Sequence, residues 1–162
     1  MEYQHIERIK IMKVNIENIS AHSLVYMRNI GAYGEQNFKL MQTMKAWIKS
    51  QDLWSENGAI YGIAQDNPAV TPPEECRYDV CFVTEQLFNN DNSVQTVTLP
   101  AGTYLTCEIL HTTEAVQHFW GSLSNVLAKR GKQLDPSRPI LERYQFALVE
   151  KGYCEFCIPV LD

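Results

Sequence analysis

The spacing of apolar residues along this chain changes several times, and each change marks an element. Rough alternation runs through Lys13 to Ile19, where Val14 and Ile16 recur, and through Ser23 to Asn29, where Leu24 and Tyr26 do. Period two is the signature of a half-buried strand. From about Tyr33 to Gln51 the spacing lengthens to three and four, and Phe38, Met41, Met44, Trp47 and Ile48 form the stripe of an amphipathic helix. Strands are predicted again at Ala59 to Gln65 and Arg77 to Thr84, separated by the turn signals Asp66-Asn67-Pro68 and Thr71-Pro72-Pro73. Phe88 to Ser93, with Asn89, Asn90, Asp91 and Asn92, reads as a loop.

A second series follows in the same order. Val94 to Leu99 and Tyr104 to His111 are predicted strands, then a helix runs from about Thr113 to Gly131. Its stripe is Val116, Phe119, Trp120, Leu123, Val126 and Leu127. Thr113 and Glu114 suit its N-terminus, and Gly131 its C-cap. Asp135-Pro136 to Pro139 turns the chain, and Ile140 to Glu150 and Tyr153 to Val160 complete the strands.

The two series align. Ile19-Ser20-Ala21-His22-Ser23-Leu24-Val25-Tyr26 matches Leu99-Pro100-Ala101-Gly102-Thr103-Tyr104-Leu105-Thr106 at an offset of 80, which also sets Ile60-Tyr61-Gly62 against Ile140-Leu141-Glu142. Asp79-Val80-Cys81-Phe82-Val83 matches Glu155-Phe156-Cys157-Ile158-Pro159 at an offset of 76. The expectation is an α+β fold of tandem duplicated β-α-β-β modules, with both helices on one face of an antiparallel sheet around a ligand cleft. It is read as one domain over residues 1–162, with pseudo-repeats at about 13–88 and 94–162.

Composition narrows the function. The chain has 162 residues, 45% hydrophobic and 20% charged, with a net charge of -5 and no long basic run, which argues against direct binding of nucleic acid. Lys129, Arg130 and Lys132 are read as complementing a helix dipole. No apolar run reaches the roughly 18 residues of a membrane span. The start, with Glu2, His5, Glu7 and Arg8, does not resemble an export signal, so a cytoplasmic protein is expected. Five cysteines at irregular spacing are then free thiols, and Cys154-Glu155-Phe156-Cys157 lies in a strand where residues three apart face opposite sides. P-loop, GxGxxG, HExxH and GxSxG motifs are missing. His111 and His118 lack paired cysteines or nearby acids for a metal site, and Cys107 lies roughly 13 Å along a strand from His111. No catalytic residue, cofactor or metal is expected.

Two features remain. Tyr26, Tyr33, Trp54, Tyr61, Tyr78, Tyr104, Trp120, Tyr144 and Tyr153 exceed what a core needs, and aromatic rings attract cations through their faces. In the strand Pro139-Ile140-Leu141-Glu142-Arg143-Tyr144-Gln145, adjacent Glu142 and Arg143 point to opposite faces, so one charge faces inward.

Three blocks carry a resemblance. Arg28-Asn29-Ile30-Gly31-Ala32-Tyr33-Gly34 resembles the turn that opens the first helix of the GyrI-like small-molecule-binding family. The segment from Ile60-Tyr61-Gly62 through Asp66-Asn67-Pro68 and Thr71-Pro72-Pro73 to Arg77-Tyr78-Asp79-Val80-Cys81 looks like its most recognisable block. Leu99-Pro100-Ala101-Gly102-Thr103-Tyr104 is similar to the start of its second half. The family includes the DNA gyrase inhibitory protein and the effector-binding domains of AraC-type and MerR-type multidrug regulators. The resemblance implies two modules enclosing a cleft, in which a glutamate meets cationic ligands among aromatic rings. Leu141-Glu142-Arg143-Tyr144 occupies that motif, so Glu142 is read as inward, opposite Gly62, and Arg143 as outward.

The second helix departs from the family, opening with His111-Thr112-Thr113-Glu114, and Phe119-Trp120 is read as replacing the lost aromatic wall. The expected site is Glu142 with walls of Tyr33, Tyr104, Phe119, Trp120 and Tyr144. The expected function is capture of a hydrophobic, cationic or aromatic small molecule by a stand-alone effector-binding or drug-sequestering protein of bacterial transcription regulation. A hydrolase of strained electrophiles, using Glu142 as acid or base, and a gyrase-inhibitor-like interaction module are the alternatives. The partners expected are a small molecule and, for a regulator or inhibitor, a DNA-binding domain or gyrase.

Overall fold

The computed structural model describes residues 12–86, 88 and 93–162. The expectations placed on Glu2, His5, Glu7, Arg8 and Asn89-Asn90-Asp91-Asn92 lie outside the described residues. Strands β1 (Lys13–Ile19), β2 (His22–Ile30), β3 (Ala59–Ala64), β4 (Arg77–Val83), β5 (Gln95–Leu99), β6 (Gly102–Leu110), β7 (Leu141–Gln145) and β8 (Tyr153–Pro159) are joined with helices α1 (Glu35–Ser50), α2 (Thr113–Lys129) and the short α3 (Phe146–Glu150). The eight strands form one antiparallel sheet in the order β1-β6-β8-β7-β3-β4-β2-β5.

That order is symmetric about the β3–β7 seam. β3, β4 and β2 step outward on one side as β7, β8 and β6 do on the other, and each half is closed by the other's leading strand. β1 pairs with β6, and β5 pairs with β2. The exchange ties the two modules together through backbone hydrogen bonds as well as through packing. At the seam Gly62 pairs with Glu142, its own equivalent at the offset of 80. The pseudo-twofold axis therefore passes between these two residues.

Apolar alternation divides the buried side chains between two faces. On one, Met44 and Ile48 of α1 pack with Val25, Met27, Ile60, Tyr78 and Val80, while Ala115 and Phe119 of α2 pack with Leu105, Ile109, Phe156 and Ile158. On the other, Tyr61, Ile63, Cys81, Leu99, Tyr104, Leu141 and Cys157 meet without a helix over them. The helix ends follow their local chemistry. The Thr112 side chain accepts a hydrogen bond from the Ala115 N–H, one residue ahead of the Thr113 start predicted from sequence. Gly131 just beyond α2 has φ +62, as the C-cap reading requires.

Three expectations need correction. Phe38 was placed in the buried stripe of α1 but is 65% exposed, because the stripe narrows to Met44 and Ile48 where the helix touches the sheet. The strand predicted over Ile140 to Glu150 stops at Gln145, and the chain turns into α3. There the Phe146 N–H donates to the Gly58 carbonyl and the Phe146 ring stacks on Trp54 at 4.0 Å, contacts that a continued strand would forgo. Finally, Arg143 does not point to solvent. It is 8% exposed on the helix-free face and makes paired bonds to Glu155 (Nε at 3.0 Å, Nη2 at 2.6 Å) and to Glu17 on β1 (3.1 and 3.0 Å). Burial alone would lower the guanidinium pKa, but the carboxylates of Glu155 and Glu17 outweigh it, so Arg143 stays charged.

The repeat also preserves a side-chain bond. Gln65 donates to Asp79, and its equivalent Gln145 donates to Glu155, the equivalent of Asp79. Arg28 of β2 supplies the cation for Asp79, whereas β6 carries Glu108 at that position and Arg143 of β7 takes over. Arg143→Met should strand Glu155 in the sheet and lower the unfolding free energy by about 3 kcal/mol, while Lys39→Ala, which breaks an exposed helical pair, should leave the urea midpoint almost unmoved. Equal midpoints for the two variants would contradict this account.

Candidate functional site

The helix-covered cores leave a gap above the seam, and a cavity of about 440 Å³ opens there. Its floor is Glu142 and Tyr144 of β7 with Tyr78 of β4. One wall is α1, through Asn37, Phe38, Met41 and Lys45. Trp54, Phe146 and Val149 also line it, and His111 stands before α2. The phenol of Tyr78 donates a hydrogen bond to Glu142 Oε2. Gly62 makes room for it, since a Cβ there would run into both the Tyr78 hydroxyl and the Glu142 carboxylate. On the axis two equivalent side chains would compete for one space, and the glycine leaves it to Glu142.

Glu142 has no cationic partner among the described residues, and burial pushes its carboxyl pKa up despite the Tyr78 hydrogen bond. Burial, with Glu142 close by, also raises Tyr78 and Tyr144, so both phenols stay protonated. His111 lies 5.5 Å from the Tyr144 ring, and burial, helped by Lys45, holds its pKa below the usual value. The imidazole is therefore neutral at pH 7 and leaves Lys45 as the cation lining the cavity.

The residues singled out from sequence are distributed unevenly. Glu142 and Tyr144 line the cavity. Tyr33 stands behind it, edge-on to Tyr78 at 6.1 Å, with its hydroxyl donating to the Arg77 carbonyl at 2.8 Å and accepting from the Asp66 N–H. Its position supports Tyr78 rather than a wall. Tyr104 is fully buried on the helix-free face beneath the Arg138 guanidinium, because β6 turns Leu105, not Tyr104, toward α2. Phe119 is buried against Phe156 at 4.2 Å, and half-exposed Trp120 packs edge-on to both, so this pair fills the space under α2 instead of opening it.

Tyr78, Trp54, Phe146 and His111 also line the cavity, although the sequence does not mark them as site residues. Trp54 and Tyr78 were visible only as aromatic excess. The signal that offered itself was the exposed edge of the α1 stripe, where Phe38, Met41 and Lys45 follow at three- and four-residue spacing. The five cysteines are free and buried, and Cys154 and Cys157 face opposite sides of β8. Burial pushes both thiols up to about 12, where the reactive thiolate is scarce. Among the described residues no group of three or more His, Cys, Asp and Glu is placed to hold a metal, and no helix is long and apolar enough to cross a membrane.

Residues 12–161 match the GyrI-like small molecule binding domain. Over 150 residues the chain is 38% identical to the SPbeta prophage-derived protein YosT of Bacillus subtilis (strain 168), which carries the name of a transcriptional regulator. The match covers 92% of this chain and 99% of YosT. In fold the chain is similar to the C-terminal domain of EcmrR, with a TM-score of 0.72 at 13% identity over 94% of this chain and 99% of that one. It spans 61% of the EcmrR chain in the complex of that protein with DNA. It is also similar to SAV2435 bound to tetraphenylphosphonium, with a TM-score of 0.56 at 15% identity over 92% and 94% of the two chains.

Two outcomes test the seam. Gly62→Ala should cost about 1–3 kcal/mol through overpacking, whereas Gly121→Ala, with open space around its Cβ inside α2, should stabilise by about 0.5–1 kcal/mol. A carboxyl whose folded pKa is raised supports the fold below its ordinary value of 4.5 and loses that support as pH climbs through the folded value. Glu142→Gln should therefore gain thermal stability relative to the unsubstituted protein as pH rises from about 4.5 to 8. A difference between the two proteins that stays flat with pH would refute the raised pKa.

Proposed function

The chain belongs to the GyrI-like small-molecule-binding family, and from that premise we propose that its cavity captures lipophilic organic cations, with Glu142 as the counter-charge. One observation carries the reading: a half-buried carboxyl group, held by a phenol and by no cation among the described residues, faces an aromatic cavity large enough for a drug-sized molecule. A buried charge without a partner is costly, and a ligand that brings the opposite charge removes the cost. Phe146 and Tyr144 line the cavity with aromatic surface for such a ligand. That SAV2435 is seen with tetraphenylphosphonium supports the same class of ligand here. The names of YosT and of the DNA-bound EcmrR support occupancy as an input to transcription control.

The test is titration with tetraphenylphosphonium and with neutral triphenylphosphine oxide. Glu142→Gln should weaken the cation by about tenfold or more and leave the oxide unchanged, because only the charge–charge interaction is removed. Equal loss for both ligands, or none for either, would sink the counter-charge role. Consumption of more than one equivalent of a strained electrophile by the protein would instead move the reading to catalysis.

A further inference from the structure

Among the described residues the second charged group of the cavity is also without an ion-pair partner. α1 carries three lysines, and two of them are engaged: Lys39 pairs with Glu35, and Lys49 lies 4.7 Å over the Trp54 ring. Lys45, half-buried and lining the cavity, makes neither an ion pair nor a hydrogen bond among the described residues. Glu150 on the rim is exposed and not paired with it. Glu142 is occupied by Tyr78 and forms no ion pair with it either. The neighbouring His111 is neutral, so it contributes a hydrogen-bonding group and not a competing charge.

One cavity thus presents the Glu142 carboxyl on its floor and the Lys45 ammonium on its helix wall, neither in an ion pair among the described residues. A ligand with a single positive charge satisfies Glu142 but is repelled by Lys45. A ligand with both charges satisfies both groups, and each desolvation cost is then offset. We propose that the ligand of this cavity is amphoteric: an aromatic molecule whose cationic centre meets Glu142 and whose carboxylate meets Lys45, a proposal that rests on the counter-charge role of Glu142. Lys45 is then the specificity-determining residue, selecting zwitterions from simple cations by attraction to one and repulsion of the other.

The probes are a zwitterionic rhodamine with a free carboxylate and its methyl ester, a cation on the same skeleton, titrated by fluorescence anisotropy. The unsubstituted protein should bind the free acid about tenfold more tightly than the ester. Lys45→Met should lose that preference by weakening the acid about tenfold while the ester holds or tightens, and Lys45→Arg should keep it. Glu142→Gln should weaken both dyes. An ester bound as tightly as the acid, or a Lys45→Met variant that loses both dyes equally or neither, overturns the amphoteric ligand and leaves the cation reading standing. Failure of Glu142→Gln to weaken either dye overturns both.

Discussion

Everything in the cavity depends on one contact at the centre of the sheet, the pairing of Gly62 with Glu142 across the β3–β7 seam. An antiparallel pair of equivalent strands places equivalent residues face to face on its axis, with their side chains on the same side. Two bulky groups do not fit there. The glycine on one strand lets the carboxylate of the other lean toward the Tyr78 hydroxyl, which comes from the far side of β3. A duplicated fold that was symmetric at this point would have no acid at its centre, or two acids repelling one another.

The opposite face of the same strands supplies the stability that the cavity face lacks. Arg143, adjacent to Glu142, anchors Glu155 beside it and Glu17 on the exchanged strand β1. The seam therefore carries on one side an acid with no ion pair among the described residues and on the other a cation bonded to two carboxylates. Burial of a charge is tolerated where hydrogen bonds are complete, as around Arg143. Where they are not, as around Glu142, burial favours the protonated form of the group.

The departure from symmetry extends to the helices. Under α2, Phe119 and Phe156 stack, with Trp120 edge-on to both, and close that half. Under α1 the stripe of buried residues is narrow, and Phe38, Met41 and Lys45 are left facing the gap. The helical part of the cavity therefore comes from α1 and the short α3, although the fold supplies two equivalent long helices.

Periodicity by itself determined the two long helices, the order of the strands and the duplication, though not the turn from β7 into α3 after Gln145, because alternation and helical spacing are local properties of the chain. The offset of 80 even set Gly62 against Glu142, and the inward reading of that acid followed from the repeat and the family resemblance together. Tertiary structure alone decided the rest. Arg143 is buried because the sheet's second face is also covered, by the curling of its own halves, and nothing in one strand's pattern reports that. Tyr104 went to that second face and Phe119 into the α2 core because a ring's destination depends on what packs against it. Trp54, Phe146, Lys45 and Tyr78 come from four separate segments and meet only when the seam brings their elements together. Residues far apart in sequence have no local signal of their meeting, so the composition of the cavity could be read only from the fold.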